Sequence, residues 1–245
     1  MPDTTGKKRG RRPKVEITAT DAQLATACCH NALKPVAGPL RAAADLVFGP
    51  AGPWLYSVYD QINERCWNGR LPHALLQLAI TPHGGLCGLT KSPSAGRASA
   101  VTISPAVWNP RAWQLGGNAG WHYAALVLLH EMVHVAEHQL FRGLPNPGET
   151  SHNQDIWARE CNRISPLIGL PPICTRFVMR REGGRTFRGP LKPAADFPSL
   201  TQKHVGMWPY GMGQLVHADP TAWMADACKA LGVPTPPDGV ERCRV

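Results

Sequence analysis

Apolar residues recur at the spacing of an amphipathic helix in a stretch that ends at Asn68 and Gly69. Its apolar positions are Leu55, Val58, Tyr59, Ile62 and Cys66. Another helix is predicted after Asp219, because aspartate caps a helix well and the following proline suits its first position. That helix is predicted to end at Leu231 and Gly232 and to dock on the rest of the protein. Its buried side would consist of Trp223, Met224, Ala227 and Leu231. Two shorter helices, separated by residues 35–39, are predicted between Asp21 and Phe48.

The apolar run from Ala124 to Ala136 contains no glycine or proline and therefore predicts an uninterrupted helix. It includes the sequence His-Glu-x-x-His at residues 130–134. Residues four positions apart lie on the same face of a helix, so His130 and His134 can bind one metal ion. Glu131 can then take a proton from a metal-coordinated water, as the glutamate of zinc hydrolases does. The alternative is a buried helix whose two histidines are satisfied by hydrogen bonds.

A catalytic zinc site needs a third protein ligand, which must come from outside this helix. His138 continues the four-residue spacing, but a rise of 1.5 Å per residue places it about 12 Å from His130 along the helix axis. Residues 143–148 end the helix, and a second helical stretch is predicted at residues 151–164. His152 lies at the start of that stretch and is the predicted third ligand, which leaves a fourth position for water.

This arrangement resembles the SprT-like metallopeptidase domain, a family that includes the Spartan-type proteases, which cut proteins crosslinked to DNA. Besides the two helices and short strands, the shared features are the Asn-Gly-Arg-Leu-Pro turn at residues 68–72, Ile103-Ser104, and His152 followed by Ile156. The resemblance covers roughly Pro53 to Leu170. It implies an α+β, zincin-like fold and a Zn²⁺ cofactor. It also implies the roles of metal ligand for His130, His134 and His152 and of general base for Glu131.

Two features depart from the pattern of that family. Asn153 stands where a glycine is usual, and the position that is usually aromatic falls on Ile156 or Trp157. The chain also contains no Cys-x-x-Cys pair, so we do not expect the four-cysteine zinc ribbon that many relatives carry.

Three short apolar stretches bounded by turn residues predict the strands of a small sheet beneath the His-Glu-x-x-His helix. They are Leu75–Ile80, Gly85–Thr90 and Ala98–Ser104. In zinc peptidases with this helix, an edge strand commonly aligns the substrate through main-chain hydrogen bonds. By that analogy, we expect Val101–Ser104 to be the edge strand that lines the cleft.

We expect four segments along the chain: a disordered basic arm at residues 1–20, a helical segment at 21–52, the peptidase domain at 53–170 and a small basic extension at 171–245. The net charge is +9, and six lysines and arginines precede residue 15 with one aspartate among them. Part of the arm resembles an imperfect AT-hook, which binds the minor groove of A·T-rich DNA. The candidate DNA contacts are Lys7, Lys8, Arg9, Arg11, Arg12 and Lys14. A solvated tail is the equal alternative.

Residues 176–188 carry five arginines opposed only by Glu182, with phenylalanines at positions 177 and 187. Arginine interleaved with aromatic residues suits phosphate contact combined with stacking on unpaired bases. The candidate contacts in this cluster are Arg180, Arg181 and Arg185. The alternative is a β-hairpin that turns at residues 183–184 and has a solvated, positively charged face, and both descriptions can hold together.

The chain contains no run of 18 apolar residues, and no apolar signal core follows its first charges. We therefore expect a cytoplasmic protein that does not contact membranes. The predicted function is zinc-dependent hydrolysis of peptide bonds in a protein or peptide substrate, with DNA-associated proteins as candidate substrates. The alternatives are a DNA-binding zinc protein without proteolytic activity and a zinc hydrolase that does not act on peptides.

Overall fold

The computed structural model describes residues 37–81, 87–91, 98–108, 120–141, 155–173, 179–182, 185–188, 206–238 and 240. Within these residues the chain is α+β, with six helices, a three-stranded mixed sheet and a two-stranded hairpin. The helices are α1 (Ala37–Phe48), α2 (Ala51–Trp67), α3 (Trp121–Gln139), α4 (Asp155–Ile164), α5 (Tyr210–Val216) and α6 (Pro220–Leu231). The strands are β1 (Leu75–Leu78), β2 (Gly88–Lys91), β3 (Ala100–Ile103), β4 (Met179–Glu182) and β5 (Arg185–Arg188). Short 3-10 turns occupy Pro105–Trp108 and Ser165–Ile168.

Helix α2 has the predicted buried face, since all five of its predicted apolar positions are buried. It ends where Asn68 and Gly69 adopt positive φ values of 53° and 68°, as the Asn-Gly pair predicted. Helix α1 begins earlier than expected and includes Pro39, because proline is tolerated in a first turn, where its missing N–H needs no helical partner. The first of the two predicted short helices lies outside the described residues.

The three predicted strands form one sheet; the first begins at Leu75 as predicted, and the other ends differ by one to three residues. The order is β1-β3-β2, in which β3 runs parallel to β1 and antiparallel to β2. The expectation that Val101–Ser104 is an edge strand was wrong, because β3 pairs on both sides and is the central strand. Its strongly apolar sequence reflects burial in the middle of the sheet. In the sheet formed by the described residues, the edge strands are β1 and β2.

Helix α3 is the centre of the fold. All its residues from Tyr123 to His138 are buried, which explains why its sequence shows a continuous apolar run and not an amphipathic stripe. It packs against β2 and β3 on one side and against the helices α2, α4, α5 and α6 on others. The polar side chains within this run therefore lie inside the protein.

Helix α6 has the predicted cap, ends and buried face. The Asp219 carboxylate accepts hydrogen bonds from two main-chain N–H groups of the first turn, and Gly232 ends the helix with φ 73°. The Trp223 indole N–H donates to the main-chain oxygen of Ile168 at 2.7 Å. The Trp54 indole N–H donates to the oxygen of Pro234, just beyond α6, at 2.9 Å. The predicted docking of this helix on the rest of the protein is confirmed.

Strands β4 and β5 form the predicted antiparallel hairpin, in which Arg180 pairs with Phe187 and Glu182 pairs with Arg185. The basic arm lies outside the described residues, as do the glycines of the hairpin turn. None of the helices that the structure describes is long and apolar enough to cross a membrane.

Candidate metal centre

Helix α3 brings the two motif histidines together, as predicted. The ring centres of His130 and His134 lie 5.1 Å apart, and both side chains are buried. Trp157 of α4 packs against both rings, with centre-to-centre distances of 5.9 Å to His130 and 6.1 Å to His134. The fully buried indole therefore forms a wall that restricts both imidazoles.

Each of these histidines has a hydrogen-bond partner at Nδ1. The Nδ1 of His130 bonds to the main-chain oxygen of Trp208, and the Nδ1 of His134 bonds to Oε2 of Glu137 at 3.3 Å. A main-chain carbonyl oxygen can only accept, so the contact with Trp208 assigns the proton of His130 to Nδ1 and the electron pair to Nε2. Burial also lowers the pKa of His134 to about 4, which keeps this imidazole neutral at neutral pH.

Glu131 is buried between α3 and strand β2. The Thr90 hydroxyl lies 2.6 Å from Oε2 of Glu131 and 3.1 Å from the main-chain oxygen of the same residue. Burial raises the pKa of Glu131 to about 7, and the hydrogen bond from Thr90 opposes this shift. A carboxyl group with a pKa near neutrality is suited to both accepting and returning a proton.

Gly88 allows β2 to approach this carboxylate closely. A Cβ atom at position 88 would lie 2.6 Å from Oε1 of Glu131 and 3.0 Å from its carboxylate carbon. Gly88 and Thr90 therefore determine the position of Glu131 from the same strand.

A cluster of buried hydroxyl and thiol groups adjoins the histidines. Cys87 Sγ lies 3.1 Å from the Tyr123 hydroxyl, and the Tyr210 ring lies 5.0 Å from the Tyr123 ring and 6.1 Å from that of His130. Burial raises the pKa of Tyr210 and of Cys87, so both stay protonated at neutral pH.

Sequence reasoning missed several residues that surround the motif, namely Thr90, Glu137, Trp208 and Tyr210. Of these, Glu137 could have been predicted from the sequence, because a carboxylate three residues after a histidine can reach that histidine on a helix. The others come from distant parts of the chain and carry no local signal.

The predicted third ligand, His152, lies outside the described residues. Helix α4 begins three residues later at Asp155, and the contacts of Trp157 place the first turns of α4 beside the two histidines. In the part of the chain that the structure describes, no group of three or more His, Cys, Asp or Glu side chains is arranged to hold a metal ion. The described residues thus supply two histidines of the predicted set.

His138 is buried near the end of α3. Its Nε2 has no hydrogen-bond partner among the described residues. Burial lowers the pKa of His138, and the neighbouring Glu137 carboxylate partly opposes this shift.

No protein-family model, curated protein or solved structure matches this chain. The chemistry of the site is therefore inferred from its own residues.

Proposed function

We propose that this chain is a zinc-dependent peptidase with a zincin-like domain, in which His130, His134 and His152 bind the metal and Glu131 is the general base. One observation carries the proposal. Helix α3 places two histidines beside the buried carboxylate of Glu131, and strand β2 holds that carboxylate in position. A purely structural zinc site has no need for this carboxylate, so the arrangement favours hydrolysis over a binding function alone.

The described residues fit zinc. Zinc accepts neutral imidazole nitrogens, and the second ring nitrogen of a ligating histidine usually donates to a carbonyl or carboxylate oxygen. His130 and His134 show one partner of each type at Nδ1, in Trp208 and Glu137. The buried Trp157 excludes water from one side of both rings. The set needs a third ligand, for which His152 is our candidate.

When bound, zinc would supply Lewis acidity that polarises the scissile carbonyl and acidifies water. Glu131 would accept the proton of the attacking water and later transfer it to the leaving amine. Its Oε2 accepts the hydrogen bond from Thr90, so Oε1 is the oxygen available for that transfer. The elevated pKa of Glu131 suits a group that must hold the proton between these two steps.

The edge strand β2 replaces β3 as the candidate for substrate alignment. Among the described residues it pairs only with β3, and it carries both Gly88 and Thr90, which lie against Glu131. A peptide that paired with the other side of β2 would lie beside the carboxylate, where main-chain hydrogen bonds could align it.

We further propose that the basic segments hold the peptidase on DNA. Support for this comes from the charge of residues 1–14 and from the hairpin register, which places Arg180 directly opposite Phe187. An arginine beside an aromatic residue suits a phosphate contact next to a stacked base. The strand register places the acidic residue Glu182 opposite Arg185, whereas Arg180 and Arg181 have uncharged residues opposite them, so these two arginines are the stronger candidates on the hairpin.

The ligand set can be tested by the metal content of two variants that differ only in which histidine they lose. We expect the purified protein to bind about one zinc per chain, and His152→Ala to lose most of it, because a three-histidine site fails without one ligand. His138→Ala is the matched control and should retain its zinc. Metal analysis of folded protein after dialysis gives the answer.

Full zinc retention by His152→Ala would overturn the assignment of the third ligand. Loss of zinc from His138→Ala as well as from His152→Ala would indicate that metal loss follows from general damage to the fold.

A further inference from the structure

Residues 206–216 lie beside the metal centre, although the sequence alone assigns them to an appended C-terminal segment. Helix α5 contacts both α3 and α6. Gly213 of α5 lies so close to Trp223 of α6 that a Cβ atom at position 213 would be 2.0 Å from the indole ring. The segment is thus packed between the helix that carries the motif and the last helix of the described chain.

Trp208 provides a main-chain contact between this segment and the motif. Its carbonyl oxygen is the hydrogen-bond partner of the Nδ1 of His130, 78 residues earlier in the chain. A main-chain carbonyl can hold an imidazole in one tautomer and one orientation only if the carbonyl itself is fixed.

The side chain of Trp208 fixes that carbonyl. The indole is fully buried, and its N–H donates to the hydroxyl oxygen of Ser165, also fully buried, at 3.0 Å. The ring packs edge-to-face on Trp157, with ring centres 6.3 Å apart, and Trp157 itself packs against both histidines. The indole is therefore anchored to the 3-10 turn after α4, while the carbonyl of the same residue contacts His130.

We infer that Trp208 is a positioning residue for the metal centre, because its Ser165 hydrogen bond holds its carbonyl where it fixes the tautomer and orientation of His130. This inference rests on the proposed role of His130 as a ligand. It assigns to the C-terminal segment a part in metal binding that is separate from any DNA contact.

The test uses the full-length protein and the substitution Trp208→Phe, which keeps an aromatic ring but removes the indole N–H. Ser165→Ala removes the acceptor of the same hydrogen bond and serves as the second variant. Trp54→Phe is the matched control, since it also deletes an indole N–H bond, at 2.9 Å to Pro234, and the ring of Trp54 packs on Trp108 and Trp121. Zinc dissociation constants are measured by competition with a chelator. The tautomer of His130 is read from long-range ¹H–¹⁵N correlation spectra of the metal-free protein.

We expect Trp208→Phe and Ser165→Ala each to weaken zinc binding by about 10- to 100-fold, the usual effect of losing the partner of a ligating histidine. The double variant should be no weaker than either single variant, because all three lack the same bond. In the metal-free spectra, the wild type should show one Nδ1–H tautomer for His130, and the two variants should show a mixture. Trp54→Phe should match the wild type in both measurements.

Wild-type zinc affinity and a single His130 tautomer in folded Trp208→Phe or Ser165→Ala would overturn the inference while leaving the proposed peptidase function intact. If the wild type bound no zinc, the proposed function would fail instead. The tautomer of His130 in the metal-free protein would then still decide whether Trp208 positions this ring.

Discussion

The approach of strand β2 to Glu131 makes Gly88→Ala a sharp probe of the proposed general base. The added Cβ atom would lie 2.6 Å from Oε1, whereas such contacts essentially never fall below 3.0 Å. The difference, 3.0 − 2.6, means that the carboxylate or the strand must move by at least 0.4 Å. To reach ordinary van der Waals contact at 3.4 Å, the carboxylate or the strand would have to move by 0.8 Å.

A movement of this size weakens the hydrogen bond between Thr90 and Glu131. That bond is 2.6 Å long, and a shift of 0.4 to 0.8 Å along its direction would lengthen it to between 3.0 and 3.4 Å. Hydroxyl hydrogen bonds lie between about 2.5 and 3.0 Å. Since misplacing a catalytic group by about 1 Å can cost about 100-fold in rate, we expect kcat to fall by about 10- to 100-fold.

The same substitution should leave zinc content unchanged, because the atoms nearest the added Cβ belong to Glu131 and not to a histidine. Stability should change by less than about 1.5 kcal/mol, since the clash is with a side chain and alanine is less costly than glycine in a strand. Gly120→Ala, at the start of α3, is the control, because nothing lies within 4 Å of its added Cβ. Initial rates of peptide cleavage at saturating zinc provide the assay. A kcat for Gly88→Ala within twofold of the wild-type value would refute the reasoning.

Two further predictions concern the packing of helix α5 on α6 and the basic arm. Gly213→Ala should destabilise the protein by about 1 to 3 kcal/mol or more in urea unfolding, because its Cβ would overlap the buried Trp223 ring at 2.0 Å, whereas Gly38→Ala, with open space around it, should not. Equal unfolding midpoints for the two variants would contradict the packing of α5 on α6. Deletion of residues 1–14 removes six cationic side chains and should lower the salt slope of duplex DNA binding by about 0.9 for each lost phosphate contact. The deletion should slow cleavage of a DNA-linked protein but not of a free peptide, because tethering raises the effective substrate concentration. Unaltered DNA affinity at low salt would show that the arm is only a solvated tail.

Local patterns predicted the ends of helices α2 and α6 well, whereas helix α5 was not predicted. The Asn68–Gly69 stop and the Asp219 cap with Gly232 gave helix ends within two residues, because these signals act through the backbone of neighbouring residues. The pairing of His130 with His134 also followed from spacing, since both lie on one regular helix.

The sheet order and the surroundings of the motif were not predictable in the same way. The apolar sequence of β3 is compatible with a central or an edge strand, and its place between β1 and β2 depends on pairing across the fold. Thr90 and Trp208 lie 41 and 78 residues from the motif residues that they contact, and neither stands in a recognisable pattern. Such contacts are set by tertiary packing, for which periodicity in one stretch carries no information.

The most direct test of the account compares wild type and Glu131→Gln for zinc content and peptide cleavage in the same preparations. Glutamine keeps the shape of the side chain but cannot take up the proton, so zinc content and folding should be retained. The cleavage rate should fall by about 10²- to 10⁴-fold, the usual contribution of a general base. Cleavage by Glu131→Gln at the wild-type rate would contradict the central claim. So would a zinc-loaded wild type that cuts neither itself nor a DNA-bound protein with DNA present.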